Sequence, residues 1–435
     1  MNRPGLNRRE WLTRILGGGA ATLALRTLAT GIPASLLFDP REATAENAAL
    51  LSQTRSLIMS GSEGGCPLNA NCPGSYVDPM VYHPPSARMT PTTISISGER
   101  HTAALPWSKL SQDTLDHMAF FHHGTATGAH TAFGDVMKLQ NKVRSGEMMV
   151  SAFATHLQAS IGTLQAAPVC VNGQAFSYNG AYQPVLQPTA IRDAILGGGN
   201  SALENLAALR HATMDKVHDL YKRNATVSQK RTLDMFVNTK AQAESISDEF
   251  LQLLAGVQTN NVIDQFRVAL ILCAMRVTPV VTLNVPFGGD NHFDNGFAEE
   301  IGQLEAGVAS FEAGYALMKE FKANGSISND VVFAWTSVFG RTLEKIADRD
   351  GRDHNGSHCV AVIMGDSVKG TVIGNTDTIM VNATTGQNSE TGTVVRADLL
   401  ASMGRTLGTV LGLSNEIIDT EIPHGTTFGY VARSV

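Results

Sequence analysis

Short apolar runs that enter loops rich in glycine, aspartate or histidine constrain this chain more than any other feature. Ser56-Leu57-Ile58-Met59-Ser60, His117 to His123, Val280 to Val285, Asp330 to Thr336 and Cys359 to Met364 each read as a short buried strand. Helical spacing separates several of them. Apolar residues recur every three or four positions from about Asn200 to Val277, from Phe297 to Lys322 and from Arg396 to Leu411. Strands that alternate with helices predict an α/β fold, with a mainly parallel sheet and helices on both faces. The long helical block, about residues 195–278, reads as an insertion or cap. In such sheets ligands sit beyond the carboxyl ends of the strands. Gly61 to Gly65, His122 to His130, Asp290 to Asp294, Val338 to Thr342 and Arg352 to His358 are all expected there. Residues 66–100, rich in Pro, Ser and Thr, read as irregular surface structure.

Charge and composition remove several classes. The chain has 435 residues, 43% hydrophobic and 17% charged, with a net charge of −6, so it is long enough for a large core and has no basic face for nucleic acid. Asn7-Arg8-Arg9-Glu10-Trp11-Leu12-Thr13 fits a twin-arginine export signal. A weakly apolar run from Ile15 to Leu37 follows, broken by Arg26, and then the small-residue site Ala43-Thr44-Ala45. Arg26 at a bilayer centre would cost roughly 2.5–3.5 kcal/mol, so a processed leader over residues 1–45 is expected rather than an anchor. The twin-arginine translocase is then the partner during export, and the mature chain is periplasmic or secreted. No later stretch is apolar enough to span a membrane. Cys66 and Cys72 bracket Pro67 to Asn71 and could close a small loop, whereas Cys273 and Cys359 lie in apolar runs and read as buried thiols.

Two clusters carry candidate chemistry. Gly289-Asp290-Asn291-His292-Phe293-Asp294-Asn295 offers carboxylates and an imidazole after one strand, and Arg352-Asp353-His354-Asn355-Gly356-Ser357-His358 offers more before another. Oxygen and nitrogen donors on loops suit a divalent ion of the zinc or manganese class. Either cluster alone is as well explained by a hydrogen-bonded loop in which Asp and Asn cap the next helix. Ser60, Ser62, Thr125 and Thr127 are hydroxyls in loops after strands, and His122, His123 and His130 lie near two of them. Arg341 is a candidate anion ligand. No G-x-G-x-x-G follows a strand and no C-x-x-C-H occurs, which argues against a redox-cofactor enzyme.

Taken in order, Val332-Phe333-Ala334-Trp335-Thr336-Ser337-Val338-Phe339-Gly340-Arg341-Thr342, Gly351-Arg352-Asp353-His354 and Lys369-Gly370-Thr371-Val372-Ile373-Gly374-Asn375-Thr376-Asp377 resemble a large uncharacterised bacterial family, domain of unknown function 1501. Its Asp/His box is similar to Gly289-Asp290-Asn291-His292 and its early glycine loop to Gly64-Gly65. That family is in turn similar to the alkaline phosphatase and sulfatase superfamily. The resemblance implies metals at the strand ends, a hydroxyl or modified-cysteine nucleophile, and phosphate or sulfate esters as substrates. It assigns Asp290, His292 and His354 to one metal, with Asp294 as an alternative. A second metal lacks its residues: the first strand runs into Ser60-Gly61-Ser62-Glu63, and Val338-Phe339 stand where an Asp-His pair is expected. A formylglycine nucleophile needs C-x-P-x-R, whereas Cys66 begins Cys-Pro-Leu-Asn-Ala.

Two functions fit these residues: a metal-assisted hydrolase of small anionic esters with a degenerate second site, or a non-catalytic periplasmic or surface binding protein on the same scaffold. The export signal makes its own prediction. Replacing Arg8 and Arg9 together with Lys should strand the precursor in the cytoplasm of the producing bacterium. Export of the double variant at the wild-type level, measured by cell fractionation, excludes this route.

Overall fold

Alternation along the strands builds the sheet. In the computed structural model, which describes residues 54–163, 165–196, 250–285, 287–327 and 329–433, eight strands form one sheet. They are β1 (Ser56–Ser62), β2 (Met118–His123), β3 (Val169–Val171), β4 (Val185–Leu186), β5 (Val280–Leu283), β6 (Val331–Ser337), β7 (Cys359–Met364) and β8 (Thr371–Ile373). Their order is β8-β2-β7-β6-β1-β5-β3-β4. β1 pairs in parallel with β6 and β5, with Ser62 opposite Ser337 and Ser60 opposite Leu283. Only β7 runs the other way, antiparallel to both β6 and β2. The predicted leader and residues 197–249 of the predicted helical block lie outside the described residues.

Both faces of the sheet are apolar because both are covered. Leu57, Met59, Val332, Ala334, Ala119 and Phe121 point into a core shared with helices α1 (Met149–Ile161) and α4 (Leu399–Val410). Their alternate neighbours face the other way: Phe333 stacks on Phe266 of α2 (Val262–Ala274) at 5.2 Å and on Phe311 of α3 (Ala298–Ala323) at 5.7 Å. Continuous burial on both sides is what a central, mainly parallel sheet demands. Helix α3 is held by Ile301, Leu304, Val308, Phe311, Tyr315 and Met318, spaced three and four apart on one stripe.

The described chain falls into two compact units, one within Gln187–Asn260 and one within Ala43–Leu186 and Asn261–Val435. In the smaller, the helix Pro188–Leu196 is tied down by Arg192, whose Nη1 donates to the Val257 carbonyl at 2.6 Å. Among the described residues no helix is long and apolar enough to cross a membrane.

Residues 66–100 are more ordered than their composition suggests. Leu68–Asn71 is a buried helical turn, and Pro91–Ile96 pairs with Glu99–Ala104 as a hairpin. The hairpin turn is Ser97-Gly98, with φ of 49° and 88°, the positive-φ pair that a two-residue turn requires. That Ser-Gly step was the available signal.

Helix α3 lets neighbouring aromatic rings in closely where it lacks side chains. A Cβ at Gly307 would stand 2.0 Å from the Phe287 ring, whereas one at Gly302 would meet nothing within 4 Å. Gly307→Ala should therefore destabilise by about 1–3 kcal/mol through overpacking, outweighing the gain in helix propensity. Gly302→Ala in the same helix should stabilise by about 0.5–1 kcal/mol. Urea unfolding of the two variants reads both signs.

Candidate metal centre

The antiparallel β7 brings the predicted clusters together. Because it enters at the edge where β1, β2, β5 and β6 leave, the residues before it share that edge with the loops after the others. Arg341 and His354 then sit opposite each other in a two-residue ladder formed by Gly340–Arg341 and His354–Asn355. Segment 350–353 also runs along segment 291–294: Arg352 N–H donates to the Asn291 carbonyl at 2.8 Å, and Asp294 N–H to the Asp350 carbonyl at 3.2 Å.

His292 and His354 meet at Nε2, 2.9 Å apart. Asp353 Oδ1 lies 3.5 Å from His292 Nδ1. His292, Asp353 and His354 form a group that could hold a metal ion, their ligand atoms all within 4.8 Å of one another. His354 Nδ1 faces the Gly128 carbonyl. Burial, and then the charge of Arg341 among other neighbours, hold His354 below the ordinary imidazole pKa against the opposing pull of that carbonyl. The His354 N–H, 2.7 Å from Asp353 Oδ1, is the main reason that this carboxyl sits below the usual range.

The other predicted residues have different roles. Asp290 is exposed on the same loop, and its Oδ1 accepts the His292 N–H at 3.2 Å, outside the three-residue group. Asp294 is buried and caps α3, accepting the N–H groups of Glu299 and Glu300 at 2.8 Å each. Arg341 is fully buried, and its Nη2 donates to the carbonyls of Gly64 and Gly289. Its Nη1 lies 3.5 Å from His292 Nε2. The two glycine loops approach each other as backbone: a Cβ at Gly288, whose φ is +85°, would stand 1.9 Å from the Gly65 carbonyl oxygen.

The four loop hydroxyls are engaged locally. Ser60 Oγ accepts from Val285 N–H at 2.9 Å and Ser62 Oγ from Gly64 N–H at 3.2 Å. Thr127 Oγ1 accepts from Ala129 N–H at 3.1 Å, and Thr125 Oγ1 turns to the Thr127 and Gly356 carbonyls. Phe339, fully buried, stacks on His354 with ring centres 4.2 Å apart and meets His130 edge-on at 4.9 Å. Phe339, apolar where the resemblance implied a metal ligand, thus presents its ring to both imidazoles.

Sequence reading missed the supports. Asn69 grips the backbone of Arg341 at both ends: Oδ1 accepts its N–H and Nδ2 donates to its carbonyl, each at 2.8 Å. Behind it runs a buried string in which Asn69 Nδ2 meets His358 Nδ1 at 3.3 Å and His358 Nε2 meets His122 Nδ1 at 3.0 Å. His122 Nε2 completes it at the Pro73 carbonyl, 2.8 Å away. Each ring supplies one donor and one acceptor, so the string is satisfied by neutral imidazoles. Cys66 and Cys72 are free buried thiols on either side of the turn that carries Asn69, and burial pushes Cys72 up to about 12. Cys273 and Cys359 are likewise buried and free, each pushed by burial to about 12.

Fold and edge group together define an α/β protein with a histidine- and carboxylate-lined centre at the carboxyl edge of a mainly parallel sheet. The sequence profile described as Protein of unknown function (DUF1501) matches residues 120–414, and the chain belongs to that family. No curated protein matches the chain.

The histidine string makes stability depend on pH. Burial lowers His122 and His123 to about 4, and His358 well below its ordinary value. The unfolded chain takes up protons near pH 6.5 while the folded chain does not, so stability is full above that pH and falls as pH drops toward about 4. Each histidine adds a slope of up to about 1.4 kcal/mol per pH unit. Urea midpoints compared at about pH 7.5 and about pH 5 should differ accordingly, and equal midpoints would contradict the neutral string.

Proposed function

We propose that this protein is exported folded through the twin-arginine translocase to the periplasm or cell exterior. There it binds one divalent ion of the zinc or manganese class for the hydrolysis of a small anionic ester of the phosphate kind. The observation that carries the ion is the 2.9 Å contact between two Nε2 atoms. His354 Nδ1 faces a carbonyl, so its ring proton belongs there. His292 Nδ1 faces a carboxylate and its Nε2 faces a guanidinium, so its proton also belongs on Nδ1. Two lone pairs then oppose each other, and a cation between them relieves the repulsion. Two neutral imidazoles with a carboxylate beside them suit this class of ion.

His292 and His354 are the nitrogen ligands in this reading. The nearest carboxylate is that of Asp353 rather than Asp290, and it fixes the His292 tautomer in the manner of carboxylate-backed metal histidines. Such an ion supplies Lewis acidity to an ester oxygen or a water molecule. Burial, and then the charge of Arg341 among other neighbours, hold His354 below its ordinary pKa, and Phe339 covers one face of its ring. The hydroxyls of Ser60, Ser62, Thr125 and Thr127 each already hold a hydrogen bond to nearby backbone, which favours attack by water.

A second reading, a non-catalytic binding protein on the same scaffold, is favoured by the Phe339 ring in the second metal position. Elemental analysis of the purified mature protein, beside assays with generic phosphate and sulfate esters, separates the two. At most one ion per chain is expected, lost on His354→Ala, with slow ester hydrolysis that falls with it. Metal without any hydrolysis selects the binding protein. Two ions per chain would sink the single-site reading, and failure to take up zinc or manganese would sink the metal itself.

A further inference from the structure

The guanidinium expected to meet an anion has its donors turned inward, yet another stands open nearby. The Arg349 guanidinium sits over the ring of Phe293, with Cζ 3.7 Å from the ring centre. Phe293 directly follows His292 and is 69% exposed. Among the described residues the Arg349 side chain makes no ion pair and no hydrogen bond. Its Nε is covered and without a partner, whereas both Nη groups are open to solvent. Two carboxylates flank it in sequence: Asp348 forms no ion pair with it, and Asp350 is committed elsewhere, its Oδ2 accepting the Gly296 N–H at 2.9 Å and its Oδ1 lying 3.6 Å from Lys345 Nζ.

Position adds to chemistry. Arg349 and Asp353 belong to the segment that runs along 291–294, with Arg349 stacked on Phe293 and Asp353 beside His292. A tight turn holds Arg349 there, its N–H donating to the Ile346 carbonyl at 3.3 Å and Ile346 N–H to the Gly351 carbonyl at 3.0 Å. Stacking fixes the plane of a guanidinium without using its in-plane donors, and those donors match an oxyanion in fork geometry. The remaining exposed surface of Phe293 adds apolar contact.

We propose that Arg349 and Phe293 form an oxyanion-recognition platform on the rim of the histidine centre. It takes a phosphoryl- or phosphonyl-type oxyanion that carries an apolar, preferably aromatic, group. The Arg349 Nη groups bind the oxyanion and the ring of Phe293 packs on the apolar part. This deepens the hydrolase reading by naming what holds the substrate, but the binding itself needs neither metal nor turnover.

Phenylphosphonate, which is not hydrolysed, is the probe, titrated by calorimetry or by phosphorus NMR line broadening against both metal-stripped and zinc-loaded mature protein. Saturable binding is expected in both forms, tighter than for methylphosphonate. Arg349→Gln should weaken it roughly tenfold or more, as loss of a charge-assisted pair does. Phe293→Ser should reduce the preference for the phenyl compound. Thermal unfolding midpoints close to wild type confirm that both rim variants fold. Arg349→Gln binding phenylphosphonate as tightly as wild type, or no saturable binding by wild type, overturns the platform. Binding that depends on Arg349 in a protein that takes up no metal leaves the platform standing and removes the metal reading instead.

Discussion

One buried ion pair organises the edge of this sheet. Arg352 and Glu300 are both fully buried, with Nε and Oε2 2.7 Å apart. Two charges removed from water cost several kcal/mol each unless every remaining donor and acceptor is satisfied. Here four of the five Arg352 N–H donors find acceptors: Nε meets Glu300, Nη1 donates to the carbonyls of Thr342 and Leu343 and Nη2 to that of Tyr82, while Glu300 Oε1 accepts from Asn71 Nδ2 at 2.9 Å. The pair therefore joins the first turn of α3, the turn after β1, the loop after β6 and the segment before β7. Arg352 also presents its N–H to Asn291, which sets His292 beside the same segment. Breaking either partner would leave an uncompensated buried charge, so the loops that carry the two histidines are locked to the fold.

A second layer of polar contacts turns that lock into a chemical environment. Asn69 clamps the Arg341 backbone, and the clamp is backed by histidines that burial keeps neutral. Arg341 in turn spends its Nη2 on two glycine-loop carbonyls and brings its charge, with Nη1 3.5 Å from His292 Nε2, to the centre. A cation beside the His354 imidazole favours its unprotonated form, the form that can act as a ligand. Phe339 closes the far side. The centre is bounded there by an aromatic ring stacked on His354. Arg349, outside the lock, keeps the freedom that the inner guanidinium groups have lost.

Much of this was legible in the residues, and the exceptions have physical reasons. The strands at Ser56, Met118, Val280, Val331 and Cys359 were visible because each is apolar on both faces and ends in turn-forming residues. β3 and β4, three and two residues long, were missed because so short a run carries no periodicity. Helix α1 was missed because Met149 to Ile161 lies among small and polar residues whose helical stripe is faint. At the centre, the resemblance pointed to His292 and His354 together with Asp290, and the structure groups the two histidines with Asp353. The two carboxylates flank their histidines at similar spacing in sequence, and only the approach of segment 350–353 to segment 291–294 distinguishes them.

By itself the sequence determined the elements and their chemistry: which runs are strands, which loops hold imidazoles and carboxylates, and that Val338 and Phe339 cannot bind a metal. Local patterning suffices for that, since period, turn residues and side-chain type are properties of neighbours along the chain. Tertiary structure decided partnership. The reversed direction of β7 put the 352–358 segment at the same edge as the other loops, and the pairing of Gly340–Arg341 with His354–Asn355 set the imidazoles against each other. It also decided that Asp294 caps a helix, that Arg341 is enclosed and that Arg349 is open. These outcomes depend on which distant segment satisfies each buried donor, and that competition is settled only when the whole core closes.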